Sequence, residues 1–160
     1  MWKQINTESK KLLKLCNKNS LTISTAESCT GGMIASSIVH NPGSSDVFEQ
    51  GYITYSNRSK QNELKISLKT LNKHGAVSKQ VAEEMLKGLL YKTKSSIGIC
   101  VTGIAGPGGS SQEKPVGLVW ISFGNKIGVN SKKFLFTGSR LEIRLKTTIN
   151  SLKLINKFII

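Results

Sequence analysis

A short β-branched strand that runs directly into a glycine-containing helix start places the strongest constraint on how this chain can fold. Residues 22–25 are Thr-Ile-Ser-Thr, a composition typical of a strand. The chain then passes through Ser28 and the pair Gly31-Gly32 into a segment predicted to be helical over about residues 30–40. Because first-turn N–H groups have no partner within a helix, a hydroxyl at this junction lies beside donors that can hold an anion or a developing oxyanion.

Two other interpretations of this junction stay open at this stage. Ser28 or Thr30 can simply cap the helix, which is a common role for serine and threonine. Cys29 is a competing nucleophile in principle. Consecutive residues point in different directions from a tight turn, so we expect only one of Ser28 and Cys29 to face a cleft.

The rest of the chain predicts a single α/β domain over residues 1–160. Helices are predicted for the segments Ile5 to Cys16, 30–40, Ser56 to Leu64, Ser78 to Leu89 and Ser139 to Ile159, and strands for 21–26, 47–55, 96–102, 116–123 and 127–136. Gly124-Asn125-Lys126 separates the last two strands and is typical of a hairpin, which makes those strands antiparallel. Strands that alternate with helices and end in a hairpin predict a mixed sheet with helices on both faces.

The final helix has the clearest pattern. Ser139 and Glu142 have the Ser-x-x-Glu spacing of a capping box. Apolar residues and one threonine then recur at steps of three and four, at Leu141, Leu145, Thr148, Leu152, Ile155 and Ile159. We interpret this stripe as core packing.

The charge of the chain favours anionic partners without pointing to a nucleic acid. The 160 residues include 23 lysines and arginines against nine acidic residues, for a net charge of +14. The lysines are scattered and form no basic block, so a role in nucleic-acid binding is not expected. A small phosphorylated substrate is compatible with the same charge.

Other classes of protein are disfavoured by the sequence. Three cysteines without a CxxC pair indicate reduced thiols in a cytoplasmic protein. Neither the histidines nor the acidic residues have the spacing of a metal site, so no metal or cofactor is expected. No apolar run approaches the roughly 20 residues that span a bilayer, and the N-terminus lacks a secretion signal.

Two further features have chemical potential. The glycine-rich stretch 102–109, Thr-Gly-Ile-Ala-Gly-Pro-Gly-Gly, follows a predicted strand and can direct N–H groups at a phosphate. It matches neither a Walker A loop nor a dinucleotide fingerprint, and a surface turn is the alternative. Arg140 and Arg144 lie one turn apart and can bind phosphate or carboxylate in a bidentate way, although from the sequence alone an ion pair or a solvated helix face is the better explanation.

Five segments together resemble the CinA C-terminal domain family. They are Ala26–Gly32, Gly51–Asn57 with Lys60, His74–Ser78, Val101–Gly108 and Glu113–Trp120, in register over about residues 5–158. The resemblance implies a three-layer α/β/α sandwich. It also implies an amidase that hydrolyses the carboxamide of nicotinamide mononucleotide to nicotinic acid mononucleotide and ammonia, in pyridine-nucleotide recycling. The N-terminal domain of longer CinA proteins is not expected in this chain.

The resemblance also implies roles for individual residues. Ser28 matches the nucleophile and Lys60 the proposed general base, with Tyr55 close by; a desolvated lysine can be neutral enough to accept a hydroxyl proton. N–H groups near Thr30 and Gly31 are the expected oxyanion donors. The residues expected to bind substrate are Glu27, Thr30, Gly31, Gly32, Thr102, Gly103, Ala105, Gly106 and Arg140.

The sequence departs from the family pattern at one position, and two functions other than the amidase stay open. The chain reads Gly138-Ser139-Arg140 where the family commonly reads Gly-Asp-Arg, so Ser139 cannot supply a carboxylate to orient Arg140. The alternatives are a nucleotide-binding module without turnover and a DNA-associated accessory protein of competence. Whether the chain forms a homodimer stays open.

Overall fold

Five strands form one open mixed sheet in the computed structural model, which describes residues 1–160. The strands are β1 Ile23–Glu27, β2 Phe48–Ile53, β3 Ile97–Gly103, β4 Leu118–Gly124 and β5 Val129–Leu135. Their spatial order is β2-β1-β3-β4-β5. The pairs β1–β2 and β1–β3 are parallel, whereas β3–β4 and β4–β5 are antiparallel, so the predicted mixed sheet and hairpin are confirmed.

Helices cover both faces of the sheet. They are α1 Trp2–Lys18, α2 Met33–Val39, α3 Asn57–Leu64, α4 Leu68–His74, α5 Lys79–Thr93 and α6 Arg140–Ile159. Helices α1, α2 and α6 pack on one face, and α3, α4 and α5 pack together on the other. The three-layer α/β/α sandwich is therefore confirmed.

Each face of the sheet has its own apolar core. On one face the predicted apolar stripe of α1 is buried: Ile5, Leu12, Leu13 and Cys16 all lie in the larger cluster, with β1 and β3. On the other face Met85, Leu86 and Leu89 of α5 pack with Leu64 at the end of α3. Strand β3 is buried along almost its whole length because it is central and covered on both sides.

Helix α6 agrees with the prediction at its start and departs from it along its face. Ser139 and Glu142 form the predicted capping box. Leu141, placed on the core stripe by its spacing, is 54% exposed, so the stripe is wrong there. The stripe is confirmed at Thr148, Leu152 and Ile155, which are buried, and the buried face also includes Ile143 and Ile149. None of the helices has both the length and the apolar character that a membrane crossing requires.

Helix α4 is absent from the sequence prediction. Ser67 caps it by accepting a hydrogen bond from the N–H of Thr70, and the helix ends before Gly75. Only Leu71 is buried among its seven residues. A helix of two turns with one buried apolar residue has no periodicity to detect.

The topology determines where a site can form. The connection from β1 to β2 carries α2 on one face, and the connection from β2 to β3 carries α3, α4 and α5 on the other. Chain paths that diverge at the carboxyl ends of parallel strands leave a crevice between them. Backbone hydrogen bonds hold these ends together, from Ser28 N to Val101 O at 3.1 Å and from Thr54 N to Glu27 O at 2.9 Å.

The contact between α3 and α5 gives a test of this packing. A Cβ atom added to Gly88 of α5 would lie 2.0 Å from the carbonyl oxygen of Leu64, so the backbone of α3 or α5 must move. We expect Gly88→Ala to lower the free energy of unfolding by about 2–3 kcal/mol, despite a gain of about 1 kcal/mol in helix propensity. Urea denaturation followed by circular dichroism measures this change.

Lys87→Ala is the matched control, because Lys87 is the exposed neighbour in the same helix. It should change the free energy of unfolding by less than about 0.5 kcal/mol. A Gly88→Ala variant as stable as the parent protein would contradict the packing described here.

Candidate active site

The turn between β1 and α2 carries the serine of the candidate site. We call residues 28–31 the Ser28 turn; the N–H of Gly31 closes it by donating to Ser28 O at 3.1 Å. Gly31 and Gly32 have φ values of +59° and +93°, which glycine adopts without strain. Ser28 is 8% exposed, so its hydroxyl is held in a largely buried position.

The carboxylate of Glu27 caps the start of α2. Its Oε2 accepts hydrogen bonds from Thr30 Oγ1 at 2.6 Å and from the N–H groups of Gly32 and Ile34, each at 3.0 Å. Its Oε1 accepts from the N–H of Ala35 at 2.8 Å. A negative charge here is stabilised both by these donors and by the helix dipole. The buried carboxylate of Glu27 therefore links the Ser28 turn to the start of α2 through these hydrogen bonds.

Lys60 reaches Ser28 from the first turn of α3. Ser56 caps this helix, and side chains on a helix lean toward its N-terminus, so the amine is directed back to the residues that precede α3. Lys60 Nζ lies 3.1 Å from Ser28 Oγ. It also donates to the carbonyl oxygens of Thr54 at 2.8 Å and Tyr55 at 3.1 Å.

The surroundings of Lys60 favour its neutral form. The residue is 1% exposed, and burial lowers the pKa of its amine from 10.5 to about 8. No carboxylate lies within ion-pair distance of Lys60 to reverse this effect. A neutral amine has two N–H groups and one lone pair. With the N–H groups on Thr54 O and Tyr55 O, the lone pair is left to face Ser28 Oγ.

Cys29 lacks the properties of a nucleophile. Both Ser28 and Cys29 line the cleft described below, contrary to the expectation that only one would, but Cys29 is 5% exposed and belongs to the larger apolar core. Burial, followed by the charge of Glu27, raises the pKa of the Cys29 thiol to about 12. Because the thiolate is the reactive form of cysteine, a thiol that stays protonated is inert. The geometry favours Ser28 over the alternative that the sequence leaves open.

A cleft of about 260 Å³ opens in front of the serine–lysine pair. Its lining comes from the ends of β1, β2 and β3, from α3 and α6, and from the connection between α4 and α5: Ser28, Cys29, Tyr55, Lys60, Ala76, Val77, Thr102, Gly103, Ile104, Ala105, Gly106, Gly108, Gly109 and Arg140. Eight of the expected site residues thus meet here. Glu27, Thr30, Gly31 and Gly32 do not line the cleft, and their direct contact with a substrate stays a prediction.

Arg140 spans the mouth of this cleft. Its Nη2 donates to Tyr55 Oη at 3.1 Å, and its Nη1 donates to the carbonyl oxygen of Gly106 at 2.7 Å. Ser139, in the position of the departure noted above, instead donates to Glu142 as part of the capping box. Arg140 is therefore oriented by a phenol and a backbone carbonyl, without a carboxylate.

Several backbone N–H groups at the cleft have no acceptor within the protein. In the glycine-rich loop 103–109 they belong to Ala105, Gly106, Gly108 and Gly109. In the Ser28 turn they belong to Cys29 and Thr30, because the N–H of Gly31 is used within the turn. The expected oxyanion donors near Thr30 and Gly31 stay a prediction, and within this turn only the N–H groups of Cys29 and Thr30 are free to act as such donors.

One wall of the cleft was not predicted from the sequence as part of the site. Ala76 and Val77 form this wall, and Thr102 Oγ1 donates to Ala76 O at 2.9 Å. Lys114 Nζ donates to the carbonyl oxygen of His74 in the same segment. The block His74–Ser78 is part of the family resemblance, but its apolar residues carry no chemical signal of their own.

The larger groove on the surface lacks the chemistry of this cleft, and the structure has no metal site. A larger groove of about 800 Å³ lies between α3 and α5, and its lining includes Lys65, Lys87, Tyr91 and Lys94. It contains no pair of a nucleophile and a base. No group of three or more His, Cys, Asp or Glu side chains is placed to hold a metal ion.

The fold and the cleft define an α/β/α protein with a buried serine–lysine pair beside a glycine-rich loop. Comparison with known families then identifies it: the chain belongs to the CinA C-terminal domain family, whose family model matches residues 5–159. The resemblance seen in the sequence is thereby confirmed.

Solved structures and curated relatives agree with this assignment. The chain superimposes on the competence/damage inducible protein CihA of Agrobacterium tumefaciens with a TM-score of 0.92 and 40% identity, covering 94% of this chain and 93% of that one. A CinA superfamily protein of Klebsiella pneumoniae gives a TM-score of 0.94 at 25% identity, with 97% of both chains covered.

A Clostridium novyi homologue named as a competence-damage inducible protein is 46% identical over 147 residues. The match covers 92% of this chain and 36% of that relative, so the chain spans about a third of the length of the curated relatives it matches.

The role of Glu27 as a cap can be tested by Glu27→Gln. An amide would present an N–H donor to a site where every neighbour is already a donor, and hydrogen bonds to a charged group contribute about 1.5–3 kcal/mol. We expect the free energy of unfolding to fall by about 2–3 kcal/mol in urea denaturation. Glu49→Gln, on the exposed part of β2, is the control and should be neutral. Equal stability of both variants would argue against the cap.

Proposed function

We propose that this protein is an amidase that hydrolyses the carboxamide of nicotinamide mononucleotide to nicotinic acid mononucleotide and ammonia. One observation carries the proposal: the desolvated amine of Lys60 lies 3.1 Å from Ser28 Oγ with its remaining donors matched to backbone carbonyls. A serine hydroxyl is a weak nucleophile unless a base lies beside it. Lys60 supplies that base where no histidine lines the cleft.

The neutral fraction of Lys60 is large enough to support catalysis. A pKa of about 8 leaves roughly a tenth of the amine neutral at pH 7. A lysine at the ordinary value of 10.5 would be neutral in only about 0.03% of molecules. Burial thus raises the concentration of the basic form roughly 300-fold at this pH.

The reaction proceeds by acyl transfer. Lys60 accepts the proton of Ser28 as Oγ attacks the carboxamide carbon, which forms a C–O bond and places negative charge on the amide oxygen. In this mechanism the N–H groups of Cys29 and Thr30, which have no acceptor within the protein, bind that oxygen. Protonated Lys60 then gives its proton to the carboxamide nitrogen as the C–N bond breaks, and ammonia leaves. Water hydrolyses the ester on Ser28 with Lys60 again as base.

The remaining cleft residues fit an anionic nucleotide. The unpaired N–H groups of the glycine-rich loop 103–109 provide donors for phosphate oxygens, as at other glycine-rich anion sites. Arg140 lies at the mouth and can exchange Tyr55 Oη for a phosphate oxygen. In this proposal Tyr55 also orients Lys60 through its backbone carbonyl.

A second candidate function rests on the groove between α3 and α5. The homologues are named as competence-damage inducible proteins, and the lining of this groove includes four lysines and two glutamates together with Tyr91, which is 75% exposed. Lysines beside an exposed aromatic ring are suited to single-stranded nucleic acid. An accessory role in DNA handling therefore predicts an affinity for DNA that falls steeply with salt, and a flat salt response would exclude it.

Ser28→Ala tests the amidase proposal. We expect ammonia release from nicotinamide mononucleotide to fall at least about 10³-fold, because the acyl intermediate cannot form. The measurement is a coupled ammonia assay on purified protein, with circular dichroism to show that the variant is folded. Cys29→Ala is the matched control and should retain kcat within about fivefold.

Two outcomes would contradict an amidase with Ser28 as its nucleophile. Loss of activity in Cys29→Ala alone would transfer the nucleophile to the thiol. A parent protein that binds the mononucleotide without releasing ammonia would be a nucleotide-binding module. A cytoplasmic location and the oligomeric state stay predictions to be measured separately.

A further inference from the structure

Arg144 is a half-buried cation whose contacts differ from those of its neighbour Arg140. Its Nη2 donates to the carbonyl oxygen of Thr30 at 2.7 Å, across 114 residues of sequence. Its Nε is buried and has no hydrogen-bond partner, and no carboxylate lies within ion-pair distance. Arg144 does not line the cleft, so a direct contact with the substrate does not explain it.

The contact with Thr30 fixes one particular peptide group. The carbonyl of the Thr30–Gly31 peptide is held by Arg144, and the N–H of the same peptide donates to Ser28 O. The Thr30 side chain is held independently by Glu27. A peptide plane restrained at both ends cannot rotate without breaking two hydrogen bonds. The adjacent N–H groups, which face no acceptor in the protein, are thereby oriented as well.

The charge of Arg144 also acts at the Ser28 turn. Burial, and after it Glu27, raises the pKa of the Cys29 thiol, whereas the positive charge of Arg144 is among the influences that lower it. Arg144 therefore favours negative charge at the residue that follows Ser28. Such an effect is strongest where water is excluded and the cation has no counter-ion to neutralise it.

We propose that Arg144 is a positioning residue of the oxyanion site. It holds the Thr30–Gly31 peptide so that the N–H groups of Cys29 and Thr30 converge on the negative oxygen of the tetrahedral intermediate, and its unpaired charge stabilises that oxygen. This role rests on the proposed amidase function. In this proposal the two arginines of α6 have different roles, because Arg140 contacts the nucleotide in the ground state and Arg144 acts on the transition state.

The test compares kcat and KM for ammonia release in matched variants. Arg144→Gln should lower kcat about 10- to 100-fold and change KM by less than about threefold, because transition-state stabilisation is lost and ground-state binding is kept. Arg144→Lys retains the charge and one donor, and should recover kcat to within about tenfold of the parent protein. Arg140→Gln is the comparison and should mainly raise KM.

A second measurement keeps the inference independent of the substrate. A fluorophosphonate probe that modifies Ser28 places its phosphonyl oxygen at the oxyanion position, so its rate of labelling, read by mass spectrometry, should fall in Arg144→Gln by a factor similar to kcat. Urea denaturation of each variant reports any loss of stability. An unchanged kcat and labelling rate, or an Arg144→Lys variant as slow and as destabilised as Arg144→Gln, would overturn the positioning role.

Failure of the proposed function gives a different result. A parent protein that is labelled at Ser28 in an Arg144-dependent way, but releases no ammonia from nicotinamide mononucleotide, overturns that substrate and supports the role of Arg144. A parent protein that is neither labelled nor active overturns both.

Discussion

A lysine amine enclosed by protein and unmatched by any carboxylate is the constraint on which the rest of this structure depends. Lowering the pKa of Lys60 from 10.5 to about 8 corresponds to roughly 3 kcal/mol of lost stability when the amine is charged. That penalty is fully present below pH 8 and is relieved as the pH rises toward 10.5. This loss of stability arises because the hydrogen-bond partners of the amine are the carbonyls of Thr54 and Tyr55 and the hydroxyl of Ser28. Lower stability at reactive sites is common in proteins.

Backbone geometry on the other side of the pair is controlled by two charged side chains of opposite sign. Glu27 accepts four hydrogen bonds and attaches the Ser28 turn to the start of α2. Arg144 donates to the turn from α6. Neither side chain lines the cleft, so solvent screens the electric field of the two charges only weakly. Ser28, the proposed nucleophile, therefore lies on a turn that is held by two helices of the same face, α2 and α6.

Strong local patterns made much of the fold predictable. The β1–α2 junction, the hairpin of β4 and β5 and the capping box of Ser139 and Glu142 each depend on a few neighbouring residues, and the structure confirms all of them. Helix α4 was not predicted because one buried leucine gives no period. Leu141 was misplaced because spacing alone does not show that the buried part of α6 begins at Ile143.

The candidate site was less accessible to sequence reasoning because its chemistry depends on distant parts of the chain. Lys60 is one lysine among many, and only the family resemblance selects it; its burial appears once α3 is packed. The capping role of Glu27 and the contact from Arg144 to Thr30 depend on tertiary geometry that no local spacing encodes. The wall formed by Ala76 and Val77 consists of apolar residues with no chemical signature.

The most direct test of this account is the titration of the Lys60 side chain by NMR. Protein labelled with ¹³C at lysine Cε would be followed with pH, and the signal absent from Lys60→Met would assign the resonance. The account predicts a midpoint near pH 8 for Lys60, well below the other lysines. A midpoint near 10.5 would leave only about 0.03% of the amine neutral at pH 7, and it would contradict the claim that Lys60 is the base that activates Ser28.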